Sequence, residues 1–166
     1  GVETAGGVFT RLIPKNTTVV TEGLALSAIK LIGKYLRRFV GNPADMEAAE
    51  HMQLGCYLAG FAFSNGGLGL VHSIAHPVGA HYHLSHGAAC SLYLPVVMEF
   101  NLLTCPEKFA SIAVALGEDV SSMTARRAAK ESVKAVRDLF ADVGIALTFE
   151  ELGVKFKLLP NMVAEA

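Results

Sequence analysis

All six histidines of this 166-residue chain lie between positions 51 and 86, and five of them fall in the fifteen residues from His72 to His86. The run reads His72-Ser-Ile-Ala-His76-Pro-Val-Gly-Ala-His81-Tyr-His83-Leu-Ser-His86-Gly87. Imidazole nitrogens are good ligands for Fe²⁺ and Zn²⁺, and imidazoles gathered on neighbouring helices are how bundle proteins build metal sites. On a helix, His72 and His76 are four residues apart, so both rings leave the same face and can address one site. Pro77 removes the amide that would bond the carbonyl of Ser73, which predicts a kink or local irregularity. His86 comes after a turn at the start of the next helix, where it can fold back toward His72. The spacing is not the zinc-protease pattern HExxH, because Ser73 stands where that pattern needs glutamate. A bare HxxxH is equally compatible with core or surface histidines; the complete run, interleaved with glycines and a proline, points to a site.

The elements that must hold these rings are helical. Between Thr21 and Val40, apolar residues recur at Leu24, Ala28, Leu31, Ile32, Tyr35 and Phe39, while Lys30, Lys34, Arg37 and Arg38 cover the opposite side. Gly41-Asn42-Pro43 stops this helix, and Asn42 is expected to cap the next, with Pro43 at its first position. That second helix should run through Leu54, Tyr57, Leu58 and Phe61 to about Phe63, before the break at Ser64-Asn65-Gly66-Gly67. A third runs from about Leu68 to Tyr82 and a fourth from Ala88 to Phe100. Thr104-Cys-Pro-Glu107 reads as a capping box opening a fifth helix that ends at Gly117. A sixth spans about Thr124 to Val143, with Gly144 as its left-handed terminator. Thr148 and Glu151 start a short last turn. Only Val8–Arg11 and Thr17–Val20 look strand-like. The fold class is therefore all-α, a helix bundle around one core, with residues 1–166 forming a single domain.

Composition narrows the function classes. At 52% hydrophobic and 17% charged residues the chain is no disordered segment. A formal net charge of −1 gives no reason to expect nucleic acid or an anionic membrane surface as partner. No apolar run approaches the roughly 20 residues that span a bilayer. The N-terminus has no basic region followed by an apolar signal core. Cys56, Cys90 and Cys105 are widely spaced among mostly apolar neighbours, which suits buried thiols in a reducing, cytoplasmic compartment. The chain opens without methionine and closes on Pro160-Asn-Met-Val-Ala-Glu-Ala, a helix just under way, so both ends read as cuts in a longer chain.

The segment from Gly55 to Pro95 resembles the signature region of the iron-containing alcohol dehydrogenases, the group that includes lactaldehyde reductase and propanediol dehydrogenase. The residues that carry the likeness are Ala59-Gly-Phe-Ala-Phe-Ser-Asn65, Leu68-Gly-Leu-Val-His72, Ala75-His76-Pro77, His86-Gly87 and Leu94-Pro95. Weaker similarity extends over most of the chain, including Asp142-Val-Gly-Ile145. The resemblance implies the helical, metal-binding domain of a two-domain enzyme that transfers hydride between a small alcohol or aldehyde and NAD(P). It implies that His72 and His86 bind the metal, Fe²⁺ with Zn²⁺ possible, and that His76 lies beside the nicotinamide and substrate, with cofactor-binding and catalytic roles. It also implies a homo-oligomeric intact enzyme. His81 and His83 match no role in the family and read as structural.

The family site has two further ligands, an aspartate and a histidine spaced D-x3-H on an earlier helix. In the family this motif often continues x-x-E after its histidine, and Gly1-Val2-Glu3 resembles that continuation, so the ligand pair is expected to precede Gly1. The family's Gly-Gly-Gly-Ser nucleotide motif has no counterpart here, and Gly66-Gly67-Leu-Gly69 lacks the preceding strand that a phosphate loop needs. The fragment alone is accordingly expected to be inactive and to bind metal weakly or not at all. Glu47 and His51 have chelating spacing on one helix face, yet among small and charged neighbours they read as a solvated helix start. Were they to join His72 and His86, the chain would instead be a stand-alone, non-catalytic helical metal-binding module. A plain helical interaction domain is the reading that remains if no metal binds.

Overall fold

The computed structural model describes residues 18–66, 69–155 and 157, without the side chains of residues 63, 65 and 66. Six helices are present among them: α1 (Val19–Gly41), α2 (Met46–Gly66), α3 (Leu70–Tyr82), α4 (His86–Asn101), α5 (Pro106–Leu116) and α6 (Ala125–Asp142). No strand occurs among the described residues, so the architecture is all-α as the periodicity predicts. The helices associate as sequential pairs, α1 with α2, α3 with α4 and α5 with α6. The pairs are joined because α1 also packs on α5 and α6, and α4 on α6. The core is one apolar cluster, whose largest fully buried side chains include Phe109, Phe140, Ile29, Ile32, Leu94 and Met98. Each such side chain removed from water contributes roughly 1.5–3 kcal/mol.

Most helix boundaries have causes in local chemistry. Thr18 opens α1 with a reciprocal capping box: its hydroxyl accepts from the Thr21 amide, and the Thr21 side chain accepts from the Thr18 amide. That box makes Thr18 to Val20, expected with Thr17 as a strand, a helix start, with Val19 and Val20 exposed on the first turn; Thr17 lies outside the described residues. The other strand-like stretch, Val8–Arg11, lies outside the described residues. Asp45 caps α2, accepting from the Ala48 amide at 3.0 Å. Asn42 instead closes a turn by accepting from Ala44 at 3.2 Å, so Pro43 precedes the helix and does not open it. At α5 the expected capping box is absent: Cys105 is the cap without a side-chain bond, and Thr104 donates back to the Asn101 carbonyl at 2.8 Å. Gly117 at φ 98° and Gly144 at φ 70° end α5 and α6 in the left-handed conformation that glycine accepts without steric cost.

The buried face of α2 is not its row of large apolar residues. Its inner side is made of small residues, with Ala48, Ala59 and Ala62 buried beside Met52. Leu54, Tyr57 and Phe61 point outward, and Tyr57 is 67% exposed. The reason is close approach to α1: a Cβ built on Gly55 would sit 3.5 Å from Leu31 Cβ and 3.6 Å from Ile32 Cγ1. Large side chains on that face would hold the two helices apart.

Candidate metal centre

The site is built by α3, α4 and the turn between them. α3 presents Val71, His72, Ala75 and Val78 toward the interior, and Pro77 lies buried in the helix without terminating it. His83 ends α3 at φ 53°, and the amides of His83 and Leu84 both donate to the Gly79 carbonyl. Histidine is among the few non-glycine residues enriched in that left-handed region, so His83 has a turn-forming role. The turn delivers Ser85, whose hydroxyl caps α4 by accepting from Ala88 at 3.3 Å, and places His86 as the first helical residue. The two helices approach closely at Gly79, where a Cβ would meet Ala89 Cβ at 3.6 Å, ordinary van der Waals contact.

These devices bring three imidazoles together. The ring centroids of His72 and His86 are 5.3 Å apart, those of His76 and His86 are 5.3 Å apart, and those of His72 and His76 are 5.9 Å apart. Their environments differ. His72 is 3% exposed, with Nδ1 withdrawn from solvent, whereas His76 and His86 lie open on the outer side. The arrangement is a buried nitrogen at the base and two accessible rings at the mouth.

Sequence reasoning missed the fourth member. Cys90, 1% exposed, lies one helical turn after His86, and its Sγ is 3.6 Å from His86 Nε2 and 4.0 Å from Nδ1. One ligand atom from each of His72, His86 and Cys90 falls within 4.8 Å of the others, a set compact enough for one cation. The signal was present in the four-residue spacing from His86 to Cys90, but apolar neighbours made the cysteine read as core. Two imidazoles and a thiol are a donor set suited to a borderline divalent ion such as Fe²⁺ or Zn²⁺.

Glu47 and His51 are not in this group. His51 stacks on Tyr35 with centroids 4.2 Å apart and an interplanar angle of 16°. Its Nδ1 lies 2.7 Å from the Glu47 carbonyl oxygen, which can only accept, so Nδ1 is the donor. The Glu47 carboxylate is held by Arg38 at 2.9 Å and by the Tyr35 hydroxyl at 3.2 Å, and these bonds keep its pKa below the usual range. Asp45 is depressed likewise, by the Ala48 amide first and then by Arg38. This polar cluster fastens α1 to α2. His81 lies exposed in the last turn of α3, and Tyr82 donates to the Lys157 carbonyl and accepts from the Lys157 amide, at 2.6 and 2.8 Å.

Comparison with known proteins decides the family. The profile of the Fe-containing alcohol dehydrogenase family, C-terminal, matches residues 8–166. The chain belongs to the iron-containing alcohol dehydrogenases. Among its relatives is the NAD-dependent methanol dehydrogenase of Bacillus methanolicus, 43% identical over 155 residues, a stretch that covers 93% of this chain and 41% of that protein. The lactaldehyde reductase of Escherichia coli K12 is 38% identical over 166 residues, covering 100% of this chain and 43% of the relative. Of solved structures, an alcohol dehydrogenase from Oenococcus oeni superposes with a TM-score of 0.88 at 36% identity, covering 92% of this chain and 40% of that one. A 1,3-propanediol oxidoreductase superposes at 0.85 with 37% identity, covering 91% and 41%. The chain thus spans about two fifths of the length of the relatives it matches. No described helix is long and apolar enough to cross a membrane.

Proposed function

We propose that this chain is the metal-binding, substrate-side domain of an NAD(P)-dependent alcohol dehydrogenase that interconverts a small alcohol and its aldehyde. The observation that carries the reading is the convergence of His72 and His86 on one point, with the accessible ring of His76 beside them. In this reading His72 and His86 hold the catalytic cation, Fe²⁺ with Zn²⁺ as the alternative. When bound, the cation supplies Lewis acidity toward the substrate oxygen, and the nicotinamide accepts or gives the hydride. His72, buried at the base, fixes the depth of the site, and His86 closes it from the start of α4. His76 is the residue that meets substrate and nicotinamide. In alcohol oxidation a ring nitrogen of His76 takes the hydroxyl proton, and in aldehyde reduction it returns one.

The dinucleotide is held, in this proposal, by chain outside these 166 residues, consistent with relatives more than twice as long. The 166 residues alone then show no dehydrogenase activity. The intact enzyme is cytoplasmic and a homo-oligomer, and the outward Leu54, Tyr57 and Phe61 of α2 offer apolar area for contact with the remaining chain or another copy. An apolar wall of Phe61, Phe63 and Leu70 would exclude water and favour small alcohols. The side chain of Phe63 lies outside the described residues, and Phe61 and Leu70 are 53% and 44% exposed, so they screen water only when covered by further chain.

The test uses the full-length enzyme with metal analysis and nicotinamide absorbance. His86→Ala is expected to lose both metal and activity. His76→Ala is expected to keep metal and lose about 10²–10⁴-fold in kcat, the usual span for a proton-transferring group. Full activity in His76→Ala, or full metal content in His86→Ala, would refute the assignment. The stand-alone module built on Glu47 and His51 is not favoured, because both are committed to Arg38 and Tyr35.

A further inference from the structure

We propose that Cys90 is a third donor to the cation: within these 166 residues, His72, His86 and Cys90 form a two-nitrogen, one-sulfur metal site. The proposal rests on the reading of His72 and His86 as ligands and adds a thiolate to them. Its first support is distance. A tetrahedral ion with bonds of about 2.3 Å to sulfur and 2.0–2.1 Å to nitrogen holds those two atoms roughly 3.6 Å apart. Cys90 Sγ and His86 Nε2 are 3.6 Å apart. The second support is convergence. A thiol–imidazole hydrogen bond within α4 would account for that pair, but not for a nitrogen of His72, on a different helix, within 4.8 Å of both. The third is placement. Cys90 and His72 are both buried while His86 is open, so the site has two fixed donors and a solvent-facing one through which an ion can enter.

On binding, the thiol proton leaves to solvent and the sulfur lone pair makes the bond to the ion, with no change of oxidation state. A thiolate biases the site toward softer ions, Zn²⁺ and Co²⁺ ahead of Mn²⁺ or Mg²⁺. It also raises the expectation for the 166 residues from weak or no binding, which counted two donors, to measurable binding.

Co²⁺ is the probe, because thiolate ligation adds a near-ultraviolet sulfur-to-cobalt charge-transfer band to the visible d–d bands. The 166-residue chain is titrated with Co²⁺ as wild type and as Cys90→Ser, Cys90→Ala, His86→Ala and the double variant Cys56→Ser/Cys105→Ser, with circular dichroism confirming helicity. Expected are both sets of bands in wild type and the double variant, and none in His86→Ala. Both Cys90 variants should lack the near-ultraviolet band and bind about tenfold to a hundredfold more weakly, at least the loss seen when a group merely supporting a ligand is removed. Since the chain has three cysteines, a band that persists in the double variant identifies Cys90 even if the Cys90 variants do not fold. Visible bands that depend on His86 but come without the near-ultraviolet band, or with one that survives loss of Cys90 or vanishes in the double variant, overturn the thiolate and leave the histidine pair standing. No cobalt uptake overturns the three-donor site and leaves the histidine pair to the metal analysis of the full-length enzyme, whereas uptake indifferent to His86→Ala overturns both.

Discussion

At the scale of single residues, side chains of one type are divided by their settings into different tasks. His72 is buried at the base of the cluster, His76 and His86 stand at its mouth, His51 is stacked on Tyr35, and His83 makes a turn. The turn carries a cost, because a non-glycine residue in the left-handed region loses about 1 kcal/mol or more to its Cβ. His83→Gly is therefore expected to raise stability by about 0.5–1 kcal/mol in urea unfolding; a loss would show that the imidazole makes a needed contact. Asp45 supplies a pH-dependent element. Its carboxyl titrates below the usual range because the charged form accepts from Ala48 and pairs with Arg38. The stabilisation is thus complete above the unfolded-state carboxylate pKa, about 3.9, and fades as pH falls through the depressed folded value. Asp45→Asn keeps a capping oxygen without the charge, so its thermal midpoint should fall less steeply than wild type between pH 5 and pH 2 (roughly the window set by those carboxylates). Parallel slopes would mean that Asp45 does not contribute to acid lability.

At the scale of elements, local punctuation was the most legible part of the sequence. Gly117 and Gly144 stop α5 and α6 where turn chemistry places them, and Thr124 caps α6 by accepting from Arg127. The His72–His76 spacing on one helix and the turn before His86 were equally readable, which is why the imidazole cluster could be anticipated. Faces were harder. The large apolar residues of α2 do not mark its buried side, and the helix buries alanines and Gly55 against α1. Periodicity records where apolar residues lie on a helix and not which face a neighbour approaches most closely. The same gap hid Cys90, since an isolated cysteine on an apolar helix looks the same whether it fills core or faces a ligand. The α1–α2 contact supports a paired prediction. Gly55→Ala places its Cβ at ordinary contact distance and gains up to about 1 kcal/mol of helix propensity, so it should be neutral or stabilising. Gly55→Leu has no such room and should cost about 1–3 kcal/mol by overpacking. Equal unfolding midpoints for the two variants would contradict the close approach.

At the scale of the whole molecule, three helix pairs share one core while α2 turns an apolar face outward. Core and outer face should respond oppositely to truncation. Phe140→Ala, from a fully buried position, is expected to cost about 3–5 kcal/mol. Tyr57→Ser, from a mostly exposed one, should change the stability of the 166-residue chain by no more than about 0.5 kcal/mol. If Tyr57→Ser unfolds the isolated chain, that face belongs to its own core.

Everything functional depends on whether the imidazoles of His72 and His86 share one ion, and side-chain nitrogen resonances tracked by NMR during a Zn²⁺ titration of the metal-free full-length enzyme report this for each ring separately. The account predicts that the His72 and His86 signals move together and saturate together, while His51, His81 and His83 stay in place. Movement of only one of the pair, displacement of the peripheral rings instead, or a spectrum that zinc leaves untouched would contradict it.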